Sequence, residues 1–153
     1  IRALEFYHLS GKRISEHNEK EREKTSPYHF AYFVLTDERP HLYANIDKRV
    51  DLMIEQGLVD EVQKLKNMGF HRDMVSMQGL GYKEILDYLD GKTTLEEAIY
   101  IIKRETRHFA KRQLTWFRRE RDVIWLNKQD YDYQDAKILD SMINIIKEKT
   151  IIN

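Results

Sequence analysis

Residues 28–36 read Tyr28-His-Phe-Ala-Tyr-Phe-Val-Leu-Thr36, a short run rich in aromatic and β-branched side chains and nearly continuous in its apolar character. That is the pattern of a strand covered on both faces of a parallel sheet, and the run is too short to favour a helix. Asp37-Glu-Arg-Pro40 breaks it, and behind the break Leu42, Ile46, Val50 and Met53 set out one face of a helix that Gly57 ends. Further on, Val123-Ile-Trp-Leu126 is a second short apolar run, bounded by Asp122 and Asn127, and reads as a second strand. The residues between the two are mostly helical in pattern. A strand, a helical crossover and another strand is the grammar of a parallel α/β fold. Two strands do not make a stable sheet alone, so further strands are expected upstream. The chain thus reads as the C-terminal, mostly helical part of such a fold. It begins Ile1-Arg-Ala-Leu-Glu with no initiator methionine, and Ile1 is not expected to be a biological start.

Within the crossover, Leu58, Val62 and Leu65 continue as a second helical face to Gly69. A loop with two glycines and a short helix from about Tyr82 to Leu89 follow, closed by Gly91. Thr94 with Glu97 three residues later is a capping box that opens a long helix ending near Arg119. Residues 135–149 form a final amphipathic helix with Ile138, Leu139, Met142, Ile145 and Ile146 inward. At the other end, Ile1 to Leu9 reads as the tail of a helix stopped at Gly11. The charged stretch from Gly11 to Pro27 reads as a solvated helix or linker. The expected organisation is residues 1–27 as the end of an upstream helical region with its linker, 28–126 as core with a helical insertion, and 127–153 as a C-terminal helix.

At 153 residues, 41% hydrophobic and 11% aromatic, the chain can bury a sizeable core. Its formal net charge of zero excludes attraction of the whole molecule to polyanions, so any such binding must come from local patches. Absence of cysteine excludes disulfides and cysteine-based metal sites or nucleophiles. No apolar run approaches membrane-spanning length and the start is not signal-like. A soluble, cytoplasmic protein without membrane contact is the expectation.

Charge is concentrated in the long helix, where residues 103–121 carry eight Lys or Arg against two Glu. On a helical wheel Leu95, Ile99, Ile102, Phe109, Trp116 and Phe117 fall on one side, and Arg104, Arg107, Lys111, Thr115 and Arg118 on roughly the other. The first side is expected to be core, with Trp116 and Phe117 as packing. The basic stripe suits contact with several phosphates, although a solvated face is the alternative. Arg39 sits where the first strand hands over to a helix, the place where open α/β sheets bind ligands. Pro40 disfavours helical geometry at Arg39 and suits the first turn behind it. A guanidinium there can clamp a phosphate or diphosphate, or simply neutralise Asp37 and Glu38. Gln78-Gly-Leu-Gly-Tyr-Lys83 allows close backbone approach to a ligand, with Tyr82 to stack on a base and Lys83 to touch a phosphate; it can equally be a turn with Tyr82 in the core. Asp47, Asp51, Glu55, Asp60 and Glu61 read as a solvated acidic face, with metal binding the alternative. The six histidines, His8, His17, His29, His41, His71 and His108, show no ligand spacing, so no zinc site is assigned and none is given a catalytic role.

Taken in order, IRALE, RPHLYANIDKRVDLMIEQGLVDEV, GLGYKEILDYLDG and TRHFAKRQLTWFRR resemble the C-terminal half of the bacterial tRNA dimethylallyltransferase (tRNA isopentenyltransferase) family. The likeness runs from Ile1 to about Leu126, and TRHFAKRQLTWFR is its most specific piece. It implies a P-loop NTPase-like α/β fold and an enzyme that moves a dimethylallyl group from dimethylallyl diphosphate to N6 of the adenosine 3′ of the tRNA anticodon. Magnesium is the implied cofactor, bound mainly through the other half, and a monomer is expected. By the resemblance Arg39 matches an arginine that helps hold the diphosphate. Gln78, Gly79, Leu80, Gly81, Tyr82 and Lys83, and then Lys111, Arg112, Gln113, Leu114, Thr115, Trp116, Phe117 and Arg118, match two segments that meet the anticodon stem-loop. Arg2 matches an arginine at the edge of another. Two features depart from the family: Asn45 stands where a basic residue is common, and neither a GxxxxGKS/T phosphate loop nor a DSxQ-like motif with its aspartate base occurs here. These 153 residues alone are therefore expected to be inactive. A non-catalytic helical module that binds nucleic acid or another protein is the alternative.

Overall fold

The computed structural model describes residues 1–24 and 26–149. Its element order is α1 (Arg2–Ser10), α2 (Ile14–Glu23), β1 (Tyr32–Thr36), α3 (Arg39–Glu55), α4 (Leu58–Asn67), a 3₁₀ turn (Val75–Gln78), α5 (Tyr82–Leu89), α6 (Leu95–Phe117), β2 (Val123–Asn127), a second 3₁₀ turn (Lys128–Tyr131) and α7 (Asp135–Glu148). Strands β1 and β2 pair in parallel with Val34 opposite Trp125 and Leu35 opposite Leu126. The α/β reading and the parallel pairing hold, and everything from α3 to α6 is a helical excursion between the two strands.

Strand β1 is shorter than its apolar run suggests. Tyr28 and Phe30 lie exposed ahead of it, and Leu35 within it is 51% exposed. Burial on both faces was expected. Val34 and Leu126 are buried, yet Leu35 and Trp125 face solvent because, among the described residues, the sheet has only these two strands to cover it. Ile138 of α7 is also buried, while Leu139, expected inward, is exposed.

The main core lies in the excursion. Val50 of α3, Leu58 and Val62 of α4, Met77, Ile85 and Leu86 of α5, and Ala98 and Ile102 of α6 form one cluster. Each Val, Leu, Ile or Met of this cluster contributes about 1.5–3 kcal/mol through removal of apolar area from water. The helix starts follow from local chemistry. At α6 the Thr94 hydroxyl accepts the Glu97 N–H at 3.2 Å and the Glu97 carboxylate accepts the Thr94 N–H at 2.9 Å, the expected capping box. At α5, Gly81 adopts φ +105, a conformation that costs side-chain-bearing residues heavily, and its N–H donates to Glu84 Oε2 at 2.8 Å. Helix α3 begins at Arg39, earlier than expected, with Glu38 as the extended N-cap and Pro40 in the first turn. The proline is accommodated because first-turn N–H groups lack helical acceptors anyway. At the N-terminus, Gly11 caps α1 in the left-handed region, and the charged stretch beyond it forms the exposed helix α2. Among the described residues, no helix is long and apolar enough to cross a membrane.

Candidate functional site

Helix α6 is divided along its length by what its cations touch. In its middle, Lys103 Nζ lies 2.6 Å from Asp51 and Arg107 Nη1 lies 2.5 Å from Asp47. The acidic residues are one turn apart on α3 and the basic ones one turn apart on α6, in reversed order, so the helices run antiparallel along this contact. Two members of the acidic face, read from sequence as solvated, therefore belong to a helix–helix interface. Arg107, placed by the wheel on the basic stripe, is turned into the fold. Arg104 bonds Glu105 at 2.8 Å, and its guanidinium sits over the Tyr100 ring.

Beyond Arg107 the pattern changes. Among the described residues, Lys111, Arg112, Arg118 and Arg119 make no ion pair, and Arg112 lies over the Phe109 ring at 5.9 Å. The last turn of α6 itself holds no cation, so complementing the helix dipole does not account for Lys111 and Arg112. His108, Lys111, Arg112, Thr115, Trp116 and Arg119 line a groove of about 460 Å³. Phe109 and Trp116, expected in the core, are 49% and 53% exposed, because the buried residues of α6 end at Ile102. Phe117 is packing, as expected: its ring meets Tyr32 of β1 edge-on at 6.1 Å and fixes the end of α6 to the sheet. Trp116, T-shaped on Phe117, presents an apolar plate beside three cations. From sequence His108 was given no role and Arg119 was read only as the end of the helix. Their signal was the helical spacing that puts 108, 111, 112, 115, 116 and 119 on one face.

The Gln78–Lys83 segment is held mainly from within. The Gln78 amide donates to the Arg72 carbonyl, Arg72 Nη1 donates to the Lys83 carbonyl at 3.1 Å, and the Tyr82 hydroxyl donates to Glu61. Tyr82 is half-buried against the core, and its hydroxyl is raised above the ordinary tyrosine value, first by the bond to Glu61 and then by burial. Glu84, only 6% exposed, caps the turn and lies 3.6 Å from Lys83 Nζ. Gly79 and Leu80 remain exposed. A smaller cavity of about 290 Å³ brings Lys83 together with Arg72 and Arg104, linking this turn to α6.

Arg39 opens α3, exposed, and makes no ion pair among the described residues. The alternative that it neutralises Asp37 and Glu38 is not what is seen, since among the described residues no ion pair joins it to either. Both oxygens of Asp37 are occupied: Oδ1 by the Glu38 N–H at 2.8 Å and the Tyr133 hydroxyl at 3.0 Å, and Oδ2 by His41 Nδ1. Arg2 is exposed on α1, which packs against α2 and places it on a separate hairpin. Among the described residues no three His, Asp or Glu side chains come together to hold a metal.

A model of the IPP transferase family matches residues 1–120. A protein from Lachnoclostridium phytofermentans, named tRNA dimethylallyltransferase, is 60% identical over 152 residues, covering 99% of this chain and 48% of the relative. One of the same name from Acetivibrio thermocellus is 49% identical, over 93% of this chain and 45% of the relative. The chain spans about half the length of the curated relatives it matches. Among solved structures, the tRNA isopentenylpyrophosphate transferase of Bacillus halodurans superposes with a TM-score of 0.72 at 44% identity, over 88% of this chain and 45% of that one. The tRNA delta(2)-isopentenylpyrophosphate transferase of Staphylococcus epidermidis gives 0.77 at 36% identity, over 96% and 47%. With the parallel strand pair, the helical excursion and the match over most of its length, this chain belongs to the IPP transferase family.

Proposed function

We propose that this chain is the tRNA-gripping, diphosphate-contacting portion of a transferase that moves a dimethylallyl group from dimethylallyl diphosphate to N6 of the adenosine 3′ of the anticodon. The observation that carries it is the contrast between paired and unpaired cations: Lys103 and Arg107 are bound to α3, whereas Arg39, Lys111, Arg112 and Arg118 have no carboxylate partner among the described residues. In the reaction N6 attacks the first carbon of the prenyl group, the carbon–oxygen bond breaks, and charge grows on the departing diphosphate. Arg39 lies at a helix N-terminus, where guanidinium and backbone N–H groups together stabilise that charge. The groove on α6 meets the phosphates of the anticodon stem-loop, and Trp116 offers a face for a base. Gln78 to Lys83 shapes the channel wall through its backbone more than its side chains, because Gln78 and Tyr82 are bonded internally. The N6 proton goes to a base outside this chain, and any magnesium ligands also lie elsewhere. The protein acts as a cytoplasmic monomer.

The test is Arg39→Ala in a full-length transferase carrying this sequence. Turnover should fall by about 100-fold or more, as for loss of a single stabilising donor, with tRNA affinity within twofold of the parent. A parent-level rate would leave these residues as a nucleic-acid-binding module with no part in the chemistry.

A further inference from the structure

The pairing of Asp37 has a meaning for Arg39. Asp37 and Arg39 are two residues apart, with Glu38 between them in extended backbone at φ −60 and ψ 139. Over so short a span a free carboxylate at Asp37 is a local competitor for the Arg39 guanidinium. It is instead enclosed, with its side chain only 7% exposed. The His41 ring comes from one turn into α3, the Tyr133 hydroxyl from the segment after β2, and the two rings meet edge-on at 4.7 Å.

We propose that His41 and Tyr133 are positioning residues that occupy the Asp37 carboxylate and so keep Arg39 available to an anionic ligand. The inference rests on the diphosphate role proposed for Arg39. Burial pushes the Asp37 carboxyl up, but the bonds from His41, Tyr133 and the Glu38 N–H outweigh it and hold the group below its ordinary value. It is ionised at neutral pH and competes for Arg39 whenever it is released. Tyr133 itself has φ +58 and follows Asp132 at φ +54. A bulky residue in that region is an outlier that surrounding contacts must hold in place. Its bond to Asp37 and its packing on His41 are such contacts. Tyr133 also lies outside residues 1–120, which the family model matches, so the device couples the C-terminal segment to the diphosphate arginine.

The experiment compares His41→Ala/Tyr133→Phe, the same pair with Asp37→Asn added, and Arg39→Ala, all in a full-length transferase carrying this sequence. Readouts are KM for dimethylallyl diphosphate, kcat, and Kd for tRNA, the last reporting that the fold is intact. The double variant should lower kcat/KM for the diphosphate about fivefold, the strength of an exposed ion pair, with tRNA Kd at the parent value. Adding Asp37→Asn, which keeps the shape and removes the competing charge, should bring kcat/KM back to within about twofold of the parent. A double variant with parent kcat/KM, where Arg39→Ala is impaired, would overturn the proposal and leave the diphosphate reading standing. Loss that Asp37→Asn does not restore would assign the cluster a purely structural role and also overturn it. Parent-level activity in Arg39→Ala would remove both.

Discussion

The guanidinium of Arg107 lies 2.5 Å from the carboxylate of Asp47, on a helix sixty residues earlier, and this pair marks where α6 stops belonging to the fold's interior. Up to Arg107 its cations are engaged within the fold, Lys103 and Arg107 with α3 and Arg104 with Glu105 of α6 itself. Past it they face outward. Both partners of the pair are partly exposed, so the coupling is small, about 0.2–1 kcal/mol. A double-mutant cycle of Arg107→Ala and Asp47→Ala on unfolding free energy should return that coupling, while tRNA affinity changes less than for Lys111. A cycle without coupling, or a larger tRNA effect at Arg107, would contradict the division.

Ile85 of α5 is fully buried at the centre of the helical cluster. Ile85→Ala should cost about 2–5 kcal/mol by denaturant unfolding, through lost transfer energy and the cavity left behind. Val75, almost fully exposed on the preceding turn, should tolerate alanine with less than about 0.5 kcal/mol.

Asp90 is held below its ordinary carboxyl value of 3.8, first by the hydrogen bond from Lys66 and then by that from Lys92. Lys92 in turn is held above 10.5, chiefly by Asp90 and Asp87. A lowered carboxyl pKa contributes stability that is present above 3.8 and lost as pH falls through the lower folded value. A raised ammonium pKa contributes stability that is present below 10.5 and lost as pH rises through the higher folded value. The cluster should therefore contribute equally at pH 5 and pH 9 and weaken only beyond both ends. Comparing Asp90→Asn with the parent across pH should show a constant difference in that window and a shrinking one in acid; a difference that changes between pH 5 and 7 would contradict the assignment.

Much of the fold was legible because its signals are local. The strand runs, the Thr94–Glu97 capping box and the glycine stops act within a few residues; the capping box, the glycine stops and both strands are found, β1 only from Tyr32 on. What the wheel of α6 could not carry is the length of its neighbour. It placed Phe109 and Trp116 with Ile102 because periodicity continues along the helix, whereas the burial of α6 ends at Ile102. The same limit hid the pairing of Asp47 with Arg107 and of Asp37 with Tyr133, which join residues 60 and 96 positions apart. At the candidate site, Arg39 and Lys111 to Arg118 were visible as residues; His108 and Arg119 lie in the same TRHFAKRQLTWFRR stretch but were given no role, His108 because the histidines show no ligand spacing.

The central claim is that the unpaired end of α6 is an RNA platform. It is tested most directly by titrating an anticodon stem-loop against a full-length transferase carrying this sequence, and its Lys111→Glu/Arg112→Glu variant, over a series of salt concentrations. Loss of two phosphate contacts should weaken binding at low salt and reduce the slope of log affinity against log salt by roughly 1.5. Parent-level affinity with an unchanged salt slope would contradict the account.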